Sequence, residues 1–152
     1  MMRTTSSYLL SLLVFLLLTA CPTSVSDDPL YKEAKTVFEE SIALHDEVMP
    51  NMGQAKARIE DLQQAMNQMN VQAMPIDQAR MDGLQSAQKD LQEAYSGMMD
   101  WMNQIVPVPV TAPKAAEMAK LLEKQKAQRD RMTEIRDQMN SGLARATELI
   151  GQ

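Results

Sequence analysis

Residues 84–105 read LQSAQKDLQEAYSGMMDWMNQI, with apolar side chains at Leu84, Ala87, Leu91, Ala94, Met98, Trp101 and Ile105. Steps alternating between three and four keep these residues on one stripe of an α-helix and exclude the period of two that a strand requires. Met81, Tyr95 and Met102 widen the stripe. The same spacing recurs upstream, through Leu30, Ala34, Val37, Ser41, Leu44, Val48, Met52, Ala55, Ile59, Leu62, Met66, Met69 and Ala73. It recurs downstream through Met118, Gln125, Met132, Met139 and Ala146, flanked by Leu121, Leu122, Ile135, Leu143, Leu149 and Ile150. Three helices are therefore expected, over about 29–73, 77–105 and 113–150. Asp28 before Pro29 and Asp77 after the turn Met74-Pro75-Ile76 supply N-caps. Between the second and third helices, Val106-Pro107-Val108-Pro109-Val110-Thr111-Ala112-Pro113 forbids a helix and favours an extended, rigid connector.

Two short connections join antiparallel neighbours, so the expected fold is all-α, an up-down-up three-helix bundle over 29–152 with coiled-coil-like packing. The long first helix contains Pro50, where the seam steps by four twice in succession (Leu44, Val48, Met52). A kink there is expected, because proline removes one backbone hydrogen bond and crowds the preceding turn; the alternative is a break at Asn51 to Gly53. Aligning the starts of the first and third helices sets Ser41 level with Gln125 and His45 level with Arg129. Ser41, His45, Gln88, Gln125 and Arg129 are then expected to form one polar layer that fixes register.

Composition supports a helical chain and excludes one class of partner. Hydrophobic residues make up 45% and aromatic residues 4%, with 14 Met and only 5 Gly, which disfavours a sandwich or barrel. Residues 8–18 (YLLSLLVFLLL), preceded by Arg3, have the form of a secretory leader and are too short for a comfortable permanent span. Removal of residues 1–20 leaves 152 − 20 = 132 residues, enough for one domain, with 14 basic and 20 acidic side chains. A net charge of 14 − 20 = −6 is wrong for neutralising phosphates, so no nucleic-acid partner is expected.

The leader ends in Leu18-Thr19-Ala20-Cys21, which resembles the lipobox of bacterial lipoproteins at every position. The resemblance implies cleavage between Ala20 and Cys21 and lipidation of Cys21, the single cysteine, which also leaves no intramolecular disulfide. Several acyl chains anchor stably, since each buried methylene contributes about 0.8 kcal/mol. The membrane is thus an expected partner, and residues 21–28 comprise the lipidated cysteine and a small, polar, flexible tether. Asp27-Asp28 looks like the acidic pair that sends some lipoproteins outward, which favours the outer membrane, facing the periplasm or the surface; it also reads as a helix cap.

No G-x-S-x-G elbow, glycine-rich phosphate loop or H-E-x-x-H motif occurs, and no enzymatic activity is expected. His45, Met49 and Met52 lie at i, i+4 and i+7, and imidazole with thioethers suits Cu(I) or Ag(I); the competing reading is methionine as core filler. Otherwise no cofactor is expected beyond the covalent lipid. Met98, Met99, Trp101 and Met102 read either as a partner surface or, for Trp101, as a plug at the end of the bundle.

Two stretches, HDEVMPNMG at 45–53 and AYSGMMDWM at 94–102, together resemble a family of small bacterial lipoproteins of unknown function that carries the label "viral A-type inclusion protein". The resemblance implies a leader, a lipidated cysteine and three helices, assigns no activity, and draws attention to His45, Pro50 and Trp101. The expectation is an envelope lipoprotein acting as a helical adaptor or assembly module, with an envelope protein as partner. The alternatives are soft-metal or stress handling through the His/Met face and a bundle that self-associates.

Overall fold

The computed structural model describes residues 27–71 and 77–151. The signal segment 1–20, the Ala20/Cys21 junction, most of the tether and the turn Met74-Pro75-Ile76 lie outside the described residues. Four helical segments follow in order: α1 Pro29–Val48, α2 Met52–Val71, α3 Gln78–Gln104 and α4 Ala115–Ile150. A single 3₁₀ turn, Met49–Asn51, links α1 to α2, so these two form the long first helix of an all-α, three-helix bundle.

Pro50 explains that turn. It has no N–H to offer the preceding turn, and the chain responds by tightening rather than opening. Val48, Met49 and Met52 all keep right-handed helical dihedrals, and the Met52 N–H donates to the Met49 carbonyl three residues back. Gly53 does not adopt a positive φ, so the helix carries on past the proline without the break at 51–53.

The helix ends follow their capping chemistry. The Asp28 carboxylate accepts from the Leu30 N–H at 2.8 Å and the Asp77 carboxylate from the Arg80 N–H at 3.1 Å. At the opposite end of the bundle from Asp28, the Arg80 guanidinium donates to the Leu149 carbonyl at 3.3 Å, placing a cation on one of the last carbonyls of α4. The fourth segment starts at Ala115, two residues later than Pro113, because Lys114 is still extended (φ −61°, ψ 149°).

The long α4 is the spine, with α1 packed along its first half and α3 antiparallel to it, while α2 packs chiefly on α3. Two glycines allow the close approach of α3 and α4. A Cβ at Gly142 would stand 2.8 Å from Leu91 Cδ2, and one at Gly97 would stand 3.0 Å from the Arg131 guanidinium. The main core runs from Val48 and Leu62 through Leu84, Leu91 and Met98 to Ile135 and Met139. A smaller core of Ala34, Val37 and Leu122 lies nearer the start of α1. Along their helices, the fully buried Ser41 and Gln125 fall between the two cores.

Among the described residues the smaller core draws on α1 and α4 alone, and the proline-rich linker returns past the start of α1 as a cover for this end of the bundle. An extended chain advances about 3.1 Å per residue against 1.5 Å in a helix, so few residues suffice. The Tyr31 hydroxyl fastens this cover, donating to the Pro109 carbonyl at 2.6 Å and the Val110 carbonyl at 3.1 Å. That bond corrects one position of the expected seam: Tyr31 is buried, and Leu30 is 39% exposed.

Charge helps align α1 with α4. Glu33 pairs with Lys126 at 2.8 Å and Glu40 with Arg129 at 3.5 Å. The Arg129 guanidinium is held above its ordinary pKa first by its hydrogen bond to Asp130, with burial opposing and Glu40 adding to the rise. These side chains are exposed or half-exposed, so each pair contributes only about 0–1 kcal/mol.

Candidate functional site

Where α1 ends, α3 ends and the linker begins, the structure brings together two of the three residues singled out by sequence, beside the turn that holds the third. Trp101, in the last turn of α3, is only 6% exposed. Its indole N–H donates to the Gln128 carbonyl of α4 at 3.0 Å, so the one polar atom of a large apolar side chain is satisfied. The His45 ring stacks on it with centroids 5.5 Å apart and an interplanar angle of 24°. His45 Nδ1 lies 2.9 Å from the Asp46 carboxylate. Pro50 sits in the middle of the 3₁₀ turn that follows this stack.

Next to the stack, two glutamines hold the linker. The Gln128 side-chain carbonyl accepts from the Val106 N–H at 2.6 Å, and its amide donates to Gln125 Oε1 at 2.8 Å and to the Val106 carbonyl at 3.3 Å. Gln125, fully buried, donates to the same carbonyl at 3.1 Å. Residues 125 and 128 are one turn apart on α4 and thus face the same way. Both main-chain groups of Val106, which neither helix nor sheet would pair, are satisfied by side chains. Sequence reasoning missed Gln128. The available signal was an i, i+3 glutamine pair opposite a non-helical segment whose valine N–H needs an acceptor.

The expected polar layer is corrected. Ser41 is buried but donates to the Val37 carbonyl of its own helix at 2.9 Å, the nearest acceptor to a helical hydroxyl. Arg129 pairs with Glu40 and Asp130, while His45 turns to Trp101. Gln88 lies elsewhere, between α3 and α2, where it donates to the Ile59 carbonyl at 3.2 Å and to Gln63 at 3.1 Å. Ser41 is paired within its own helix and Gln88 and Gln125 with different neighbouring segments, so the five residues form no single layer across the bundle.

Of the two readings of Met98, Met99, Trp101 and Met102, burial favours the plug over the partner surface. Met98 is fully buried, Trp101 nearly so and Met102 half-buried, leaving Met99, 43% exposed, as the outward residue. Trp101 is a plug, as its place on the seam demands. On the other face considered for chemistry, His45 and Met52 are half-buried and Met49 is 39% exposed. Among the described residues there is no group of three His, Cys, Asp or Glu placed to hold a metal ion.

The described residues also line open grooves, two of which bear on binding. One, of about 280 Å³, lies between the end of α3 and α4 and is lined by Asp100, Trp101, Ile105, Lys124, Gln128 and Arg131, among others. The other, of about 400 Å³, lies between α2 and α3 and is lined by amides, including Gln63, Gln64, Asn67, Gln88 and Gln92. Set against known proteins, the chain matches no family model, no curated protein and no solved structure.

The clamp makes a measurable prediction. Gln128→Leu keeps the bulk but strips Val106 N–H of its acceptor, which should cost about 1–3 kcal/mol in urea unfolding and speed amide exchange at Val106. Unchanged exchange there would mean that the linker is held by other contacts.

Proposed function

We propose that this chain is a non-enzymatic bacterial envelope lipoprotein, a lipid-anchored helical module that presents one face of its bundle to another envelope component. The observation that carries the reading is the lipobox-like Leu18-Thr19-Ala20-Cys21 closing the apolar run 8–18. The anchor would hold the bundle in two dimensions and raise its effective concentration near membrane partners. Two features of the described residues support an interaction role. The buried polar groups of the junction are occupied in holding chain segments to one another. The amide-lined groove between α2 and α3 offers donors and acceptors on an open face, suited to a polar protein surface. No helix among the described residues is long and apolar enough to cross a membrane. The resemblance to the small lipoproteins of unknown function agrees with this reading and adds no activity to it.

Photo-crosslinking side chains at the exposed groove positions Gln64 and Gln92, with Glu134 of α4 as the comparison, test the proposal in living cells. One reproducible envelope protein captured from the groove positions is expected. Adducts only between copies of the chain would replace the adaptor with a self-associating bundle, and the absence of adducts at all positions would count against both.

A further inference from the structure

We propose that the bend at Val110–Thr111 is a membrane-contacting tip, an apolar end of the bundle that rests in the interfacial zone of the bilayer holding Cys21; this rests on the lipid-anchor reading. The bend lies beside the start of α1, because the Tyr31 hydroxyl holds the Pro109 and Val110 carbonyls there. Seven residues, Pro22 to Asp28, separate Cys21 from α1, a reach of at most ~25 Å. The anchored end of the bundle and the bend are thus the same end.

Its chemistry suits a lipid headgroup boundary. Val110 is 99% exposed and Leu30 39%, with Pro107 and Pro109 also exposed. From Ile105 to Ala116 the chain has no carboxylate and a single cation, Lys114. Its prolines carry no N–H, and the Pro109 and Val110 carbonyls already accept from Tyr31, which reduces the backbone that would lose water on contact with lipid. Around it, Asp27, Asp28 and Glu117 are balanced by Lys32, Lys114 and Lys120, leaving no net charge to repel an anionic surface. Asp27 moreover pairs with Lys32 at 3.1 Å, and Asp28 is engaged as the helix cap. An exposed valine at the turn of a rigid, tethered end has the bilayer as its nearest apolar neighbour.

The test uses the full mature chain, purified with its anchor and placed in vesicles of phosphatidylethanolamine and phosphatidylglycerol. Because the chain has one cysteine and the reading makes it a thioether, Val110→Cys introduces one reactive thiol for an environment-sensitive fluorophore. Thr111→Cys repeats the test at the neighbouring exposed position, and exposed Asn67→Cys reports the far part of α2. Emission at 110 and 111 should shift to the blue and be quenched by nitroxide-bearing lipids, whereas emission at 67 should do neither. If the intact mass shows the acyl chains but 110 and 111 behave like 67, the tip proposal fails and the anchor stands. If the mass shows no acyl chains, the anchor reading fails and the tip fails with it. Shielding of 110 in native envelope membranes but not in lipid vesicles would assign the tip to a protein and overturn the lipid assignment.

Discussion

Replacing Trp101 with alanine should remove about 3–5 kcal/mol of stability, the range for truncating a large buried aromatic side chain. The side chain is 6% exposed, plugs the end of the main core, carries the stacked His45 ring and reaches the Gln128 carbonyl at 3.0 Å. Its loss leaves a cavity where three segments meet and frees one carbonyl of α4. Trp101→Phe retains most of the apolar bulk and loses the N–H, so a smaller cost of about 1–2 kcal/mol is expected. Urea unfolding followed by circular dichroism measures both, since the only tryptophan is the one removed. A cost below that of a surface substitution for Trp101→Ala would show that the residue does not plug the bundle and would reopen the partner-surface reading.

The second large effect is a reversal of sign. Leu91 is fully buried and its side chain occupies the space that a Cβ on Gly142 would need, with Leu91 Cδ2 at 2.8 Å and Cγ at 2.9 Å. Leu91→Ala alone should cost about 2–5 kcal/mol, from lost burial and the cavity left behind. Gly142→Ala alone should destabilise as well: the clash forces a fully buried leucine aside, at about 1–3 kcal/mol, against roughly 1 kcal/mol gained by exchanging a helical glycine for alanine. In the Leu91→Ala background the obstruction is gone, and Gly142→Ala should then stabilise by that helix-propensity gain. A double-mutant cycle reads the coupling directly, and additive effects would contradict the close crossing of α3 and α4 at this point.

Much of this architecture was legible because a helical stripe is a strong, redundant signal. The seven seam positions from Leu84 to Ile105 require no knowledge of neighbours, and all but Ile105 are buried, with Ile105 half-buried. The cap at Asp28 and the continuation through Pro50 followed from backbone chemistry in the same way. What periodicity did not show was where polar side chains send their hydrogen bonds. Level alignment set His45 beside Arg129, but the pairs Glu33–Lys126 and Glu40–Arg129 place α4 about one turn or more further along, so Arg129 lies against Glu40 and His45 meets the Trp101 face. The exchange of Leu30 for Tyr31 has the same origin, since only a hydroxyl could reach the linker carbonyls. The Gln125 and Gln128 clamp depends on a segment without secondary structure, for which spacing along the chain carries no geometric meaning. Composition left the methionine-rich stretch at 98–102 open between partner surface and core, and only its place on the seam pointed to the buried positions that Met98 and Trp101 occupy.

The proposal of a lipid-anchored module rests on Cys21 more than on any residue of the bundle. The direct test is the intact mass of the mature chain extracted from membranes of the cells that produce it, alongside Cys21→Ser. The account predicts a chain that begins at Cys21, carries a diacylglyceryl group with or without a further acyl chain, and leaves the membrane fraction when Cys21 is replaced. A mature chain that begins elsewhere, or that retains a free Cys21 thiol, would contradict it.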